Sequence, residues 1–165
     1  MLVIDVAGAN SGTIEIELRP DVAPGHVERI KALARAGKYD DVVFHRVIDG
    51  FMAQTGDVKY GKRGGDLARA GMGASDLPDL KAEFSDLAFD TGIVGMARSS
   101  NPDSANSQFF IMFEPGFFLN NQYTVVGRVS SGQGVVNAIK RGKGQSGSVT
   151  DPDYMARVRV KADIK

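Results

Sequence analysis

The chain contains no cysteine. Disulfide stapling and thiol chemistry are therefore excluded, and a reducing compartment suits the sequence. It has only two histidines, His26 and His45. Neither lies in a recognisable nucleophile context, so a Ser-His-Asp triad has no support. Two histidines without cysteine or clustered carboxylates also make a poor zinc set, and no metal or other cofactor is expected. Net charge is missing as well, because 20 Lys plus Arg balance 20 Asp plus Glu. A nucleic acid or an anionic membrane as main partner usually leaves a basic excess, so neither is expected. No run approaches the roughly 18 apolar residues of a membrane span. The opening residues, Met1-Leu2-Val3-Ile4-Asp5, carry no basic n-region. No secretory signal and a cytoplasmic location are expected.

What is present is a globular composition, 42% hydrophobic and 24% charged over 165 residues. That size fits one domain spanning 1–165 with a single core, and a monomer is expected. Leu2, Ile4 and Val6 alternate as a short strand, and Gly8 to Gly12 is turn material. Ile14, Ile16 and Leu18 then alternate with Thr13, Glu15 and Glu17, a strand with one buried face. Asp21 to Gly37 reads as a helix with Pro24 in its first turn and Gly37 as its stop. Val27, Ile30, Leu33 and Ala34 form its apolar stripe. His26, near the start of this helix, is expected to be solvated. A second helix is expected over Gly132 to Gly142. The last strand alternates cleanly, with Val158, Val160, Ala162 and Ile164 expected inside. About eight amphipathic strands and two helices indicate an antiparallel sandwich or closed barrel, which periodicity does not separate.

The central stretch runs from Phe44 to Asp57. Two apolar runs flank Asp49-Gly50, a strong hairpin signal. They carry an arginine, two bulky apolar groups and an amide: Arg46, Phe51, Met52 and Gln54. A two-residue turn pairs Arg46 with Ala53 and puts Arg46 and Gln54 on opposite faces. A three-residue loop, Asp49 to Phe51, pairs Arg46 with Gln54 instead. A one-residue slip flips every side chain, and local propensity favours the two-residue turn. Beyond the hairpin, Val58 to Leu80 mixes Lys59, Lys62, Arg63 and Arg69 with glycines. It lacks a Walker-type pattern and reads as a mobile surface loop beside the site.

Elimination leaves one guanidinium, amides and apolar surface, a set suited to a reaction that makes and breaks no covalent bond. Phe44 to Asp57 closely resembles the signature of the cyclophilin-type peptidyl-prolyl cis-trans isomerases. Ser107-Gln108-Phe109-Phe110-Ile111 resembles the family's other signature. Gly95-Met96-Ala97-Arg98 resembles the segment that holds the substrate backbone. Order and spacing fit from Leu2 to Ile164. The resemblance favours the three-residue loop. It implies a mainly β fold, a closed eight-stranded antiparallel β-barrel capped by two α-helices.

It also implies an enzyme that rotates X-Pro bonds in unfolded or flexible protein segments, assisting folding without a cofactor. The X-Pro barrier is about 18–20 kcal/mol because the C–N bond has partial double-bond character. By the same resemblance Arg46 is the catalytic donor to the twisted amide. Phe51, Met52, Phe110 and Leu119 line an apolar pocket for the proline ring. Gln54 and the backbone around Ala97 and Arg98 hold the peptide, with Gln108 nearby. Phe118 stands where the best-known eukaryotic form has tryptophan, and Tyr123 where it has histidine; both resemble bacterial members. The missing indole N–H implies weaker binding of a cyclosporin-type inhibitor. His45, next to Arg46, would point away in a regular strand and is expected to be structural. Two other readings are a proline-peptide binding or chaperone module with incidental turnover, and a nucleic-acid binder using the basic loop.

Overall fold

The computed structural model describes residues 1–164. Nine strands form a single sheet: β1 (Leu2–Ala7), β2 (Gly12–Leu18), β3 (Val42–Val43), β4 (Arg46–Ile48), β5 (Met52–Thr55), β6 (Ile93–Met96), β7 (Phe109–Met112), β8 (Val125–Ser131) and β9 (Tyr154–Val160). Every pairing is antiparallel, in the order β3-β9-β1-β2-β8-β6-β7-β5-β4. The expected closed eight-stranded ring is corrected on both counts: there are nine strands, and the sheet is a curled half-barrel. Among the described residues no ladder joins its two end strands, β3 and β4. They are consecutive in the chain, separated by Phe44 and His45, where the backbone leaves one end of the sheet and enters the other.

Helix α1 (Pro24–Arg35) starts three residues later than expected, at the proline. Its missing N–H costs little there because the first turn has no intrahelical acceptor. The stop is as expected. Lys38 N–H donates to Leu33 O and Gly37 N–H to Ala34 O, with Gly37 at φ +71°, which is a Schellman ending. The stripe Val27, Ile30, Leu33 and Ala34 is buried, and the helix packs on β9. Two side chains depart from the stripe. His26 is fully buried, against its expected solvation, and its Nδ1 meets Glu83 Oε1. Glu83 also accepts the N–H groups of Gly25 and His26. Burial works to raise the Glu83 carboxyl, but the His26 ring and these two N–H groups together hold it below its ordinary value. Arg29 is buried too, and donates to the carbonyls of Pro78 and Asn106.

The second helix, α2 (Gln133–Ala138), is shorter than the expected Gly132 to Gly142. Lys140 and Arg141 lie beyond it, although Arg141 Nη1 still donates to the carbonyls of Asn137 and Ile139. The last strand also ends early. After Val160 the chain enters a 3-10 turn, Lys161–Asp163, which exposes Ala162 and Ile164 rather than burying them.

The sheet separates two hydrophobic clusters. The larger fills the inside of the curl and includes Ile4, Ile16, Ile30, Val47, Ala53, Phe109 and Ile111. The smaller lies on the opposite face and comprises Met52, Phe89, Phe110, Met112, Leu119 and Val125. Strand β7 is buried on both faces and feeds alternate residues to each.

Candidate active site

The site is built on the β4–β5 hairpin, and its register decides everything. Arg46 pairs with Gln54, Val47 with Ala53, and Ile48 with Met52. The three-residue loop is therefore the one present. Phe51 N–H donates to Ile48 O, and only Gly50 takes a positive φ, +74°; Asp49 does not. A type I′ turn needs positive φ at both central residues, whereas a turn with glycine alone at the third position does not. With this register Val47 and Ala53 face the inner cluster and are fully buried. Arg46 and Gln54 face the opposite side.

Beside them is a cavity of about 260 Å³, lined by Arg46, Phe51, Met52, Gln54, Ala97, Arg98, Phe110, Phe118, Leu119 and Tyr123. Ten of the eleven residues expected at the site thus come together from four separate segments. The eleventh, Gln108, does not line this cavity. It stands next to it, accepting from Gln54 Nε2 through Oε1 at 3.0 Å, and lines an adjoining space of about 150 Å³ together with Ala97 and Arg98.

The floor of the cavity is the outer cluster. Phe110 stacks on Phe89 at 5.8 Å between ring centroids and meets Tyr123 edge-on at 5.8 Å. Gly95, paired with Phe110 across the β6–β7 ladder, makes this stack possible. A Cβ there would come within 2.7 Å of both Phe110 and Phe89. Phe89 is held by Asn120 Oδ1 and, through its carbonyl, by Gly116 N–H. Phe118 is the exposed rim, 73% accessible, with its ring 5.5 Å from Phe51.

The polar side of the cavity is more constrained than its residue types suggest. Arg46 Nε donates to Ser146 O at 3.1 Å and Nη1 to Gln54 Oε1 at 3.1 Å. Among the described residues, Nη2 has no protein partner, so its N–H groups are available to a ligand. Arg98 is occupied differently. Its Nε and Nη2 donate to Gln122 O, and Nη1 to Ser99 O. Its guanidinium lies 4.4 Å from the Tyr123 ring centroid, a cation–π contact. Arg98 therefore braces Tyr123.

His45 sits in the break between β3 and β4, outside any strand. It does not line the 260 Å³ cavity. Burial pushes its imidazole down to about 4, and the neighbouring Arg46 adds to this. It is thus neutral near pH 7. The basic loop is largely tied down. Lys62 Nζ donates to the carbonyls of Lys38 and Asp40, and Arg63 binds Tyr154 OH and lies over its ring. Arg69 pairs with Asp66. Among the described residues no group of His, Asp and Glu could hold a metal, and no helix is long and apolar enough to cross a membrane.

Sequence reasoning missed Phe89, Asp57 and the glycines of the loop beside the site. Phe84 and Phe89 flank a short turn in the sequence, but nothing local says which aromatic reaches under the pocket. Asp57 ends the central motif and is fully buried, with its carboxylate taken up by backbone N–H groups.

The site is thus an apolar slot on a mainly β sheet with an anchored guanidinium at its edge. The family model for cyclophilin type peptidyl-prolyl cis-trans isomerases matches residues 3–160. A probable peptidyl-prolyl cis-trans isomerase of Brucella suis is 58% identical over 157 residues, covering 93% of this chain and 80% of that protein. Its counterpart in Brucella abortus is 57% identical over the same shares. A crystallised cyclophilin from Hirschia baltica matches with a TM-score of 0.81 at 25% identity, covering 99% of this chain and 74% of that one. The Cryptosporidium parvum enzyme of this type, crystallised in the presence of the dipeptide Ala-Pro, matches with a TM-score of 0.80 at 24% identity, over 96% and 97%. The chain belongs to the cyclophilin-type peptidyl-prolyl cis-trans isomerase family.

Proposed function

We propose that the 260 Å³ cavity receives the ring of a substrate proline and that Arg46 catalyses rotation of the preceding peptide bond. Rotation twists the amide, and the prolyl nitrogen gains a basic lone pair. A donor aimed at that nitrogen stabilises the twisted form more than the planar one, which is differential binding. A guanidinium suits the task because it carries its charge at any working pH and has fixed geometry. The observation that carries the reading is the division of labour within Arg46: Nε and Nη1 are anchored, while Nη2 is free. Anchoring removes the conformational freedom that a long side chain would otherwise lose in the transition state. Met52, Phe110 and Leu119 supply the apolar floor, Phe51, Phe118 and Tyr123 the walls. Gln54, Gln108 and the backbone at Ala97 and Arg98 hold the flanking peptide.

In this reading the chain works as a single domain and as a monomer, in the cytoplasm, on unfolded or flexible segments of folding proteins. A cyclosporin-type inhibitor binds weakly, because Phe118 offers no N–H. The test is the cis-to-trans rate of a short X-Pro peptide with wild type and Arg46→Ala. Wild type accelerates the exchange, and the folded variant loses about a thousandfold in kcat/KM, equivalent to about 4 kcal/mol. Equal rates would remove Arg46 from the mechanism. An inactive wild type that still binds the peptide would make the groove a proline-binding module.

A further inference from the structure

The guanidinium is the end of a longer hydrogen-bond chain. Arg46 Nη1 donates to Gln54 Oε1 at 3.1 Å, and Gln54 Nε2 donates to Gln108 Oε1 at 3.0 Å. Gln108 Nε2 donates to Gly71 O at 2.9 Å and Gly73 O at 3.0 Å. The N–H groups of those same two glycines donate to Asp57 Oδ2, at 2.7 and 2.9 Å. Asp57 Oδ1 accepts from the N–H groups of Lys59 and Tyr60.

The polarity of this chain is set by its ends. A guanidinium can only donate and a peptide carbonyl can only accept. Two amides in series connect such ends only if each turns its NH2 toward the loop and its oxygen toward Arg46. If either amide flips, oxygen faces oxygen or nitrogen faces nitrogen. Gln54 Oε1 is therefore held on Arg46 by groups two links away. The loop end is held by Asp57, fully buried and paired with no cation among the described residues. A buried carboxylate is costly unless hydrogen bonds satisfy it, and here four backbone donors do so. An asparagine would turn an NH2 toward donors. Gly73 has no room for a side chain, since a Cβ would run into the Asp57 carboxylate.

We infer that Asp57 is a positioning residue for Arg46, acting through Gly71 and Gly73, Gln108 and Gln54 to fix the direction of the free Nη2. The inference rests on the reading of Arg46 as the catalytic donor. A plain loop cap would also make the four bonds at Asp57, so the test must see Arg46 itself.

The experiment compares wild type, Asp57→Asn, Arg46→Lys and the double variant, reading peptide exchange kinetics and the Nε–Hε NMR signal of Arg46. Asp57→Asn lowers kcat about tenfold with KM within about twofold, because misaligned catalytic groups cost rate more than binding. It also moves the Arg46 signal. In the Arg46→Lys background, which has no Nη1 for Gln54, the same substitution costs less than about twofold. An unchanged kcat with an unmoved signal overturns the inference. So does an equal loss in both backgrounds with an unmoved signal, which is the signature of a structural cap. If wild type does not isomerise the peptide, the proposed function fails, and the Arg46 signal alone decides whether Asp57 sets its geometry. If Asp57→Asn does not fold, Gln108→Met cuts the chain at its middle and leaves the loop cap in place. A moved Arg46 signal then supports the inference, and an unmoved one overturns it.

Discussion

Phe109 and Phe110 are adjacent in β7 and serve different interiors. Phe109 points into the inner cluster and meets Tyr39 edge-on at 5.5 Å. Tyr39 is fully buried, its hydroxyl donating to Ser107 O at 2.7 Å. Phe110 points to the outer cluster and forms the floor of the cavity. Both are about equally hidden, at 1% and 5% exposure, so burial does not distinguish them. The inner cluster gathers strands and helices from the whole chain. The outer one is a small platform supported mainly by Phe89, Met112 and Leu119. A buried aromatic in the first holds the protein together; one in the second holds the cavity floor in shape.

The largest expected effect comes from treating the two alike. Phe109→Ala should cost about 3–5 kcal/mol of stability, the range for truncating a core aromatic, while the folded fraction keeps its isomerase rate within about twofold. Phe110→Ala should cost a comparable amount of stability and, if the cavity takes the proline ring as proposed, also raise the peptide KM about tenfold through the lost apolar contact. Denaturant unfolding beside peptide exchange kinetics separates the two. If Phe109→Ala raised KM as much, the division between the clusters would not hold.

The next effect concerns His45, at the break between β3 and β4. Its pKa is depressed in the folded chain to about 4 from an ordinary 6.5. The unfolded chain therefore binds a proton first as pH falls. Stability is full above pH 6.5 and declines between 6.5 and 4, by up to about 1.4 kcal/mol per pH unit and about 3 kcal/mol in all. His45→Gln should flatten this part of the stability curve, and an identical slope would exclude His45 as its origin. Glu83, also depressed, adds a decline at lower pH as it is protonated, in both proteins. The smallest effect is at the outermost residue of the outer platform. Phe118→Trp restores an N–H donor and should tighten a cyclosporin-type inhibitor by about 1 kcal/mol, or roughly fivefold. A calorimetric titration with no change would show that the rim takes no part in that contact.

Much of this was legible along the chain. The stripe of α1, its glycine stop and the alternation of β1 and β2 are local patterns, and each element formed where they placed it, apart from the start of α1 at Pro24. The resemblance named the ten residues that line the cavity, seven of them in three ordered motifs and three in the stretch Phe117 to Tyr123. The hairpin register was not legible from local propensity, although the resemblance favoured the three-residue loop that is present. Asp49-Gly50 favours a two-residue turn, yet β5 also pairs with β7 on its other edge, Met52 with Met112 and Gln54 with Phe110. That pairing and the burial of Val47 and Ala53 outweigh the turn preference. Nor was the fate of His26 legible, because its partner Glu83 lies 57 residues away. Ala162 and Ile164 fit the alternation of β9 but lie past the end of the sheet, where no neighbour covers them.

The sequence by itself determined which chemistry is available: no thiol and no evident metal set, one guanidinium among amides and apolar rings, and strands whose alternation demands a buried face. Those follow from residue type and period, which need no partner to be read. Only the tertiary structure decided which face each side chain serves, which of two neighbouring phenylalanines floors the cavity, and which nitrogen of Arg46 is left free. These depend on pairings between distant segments, and a one-residue change of register would reverse them at no local cost.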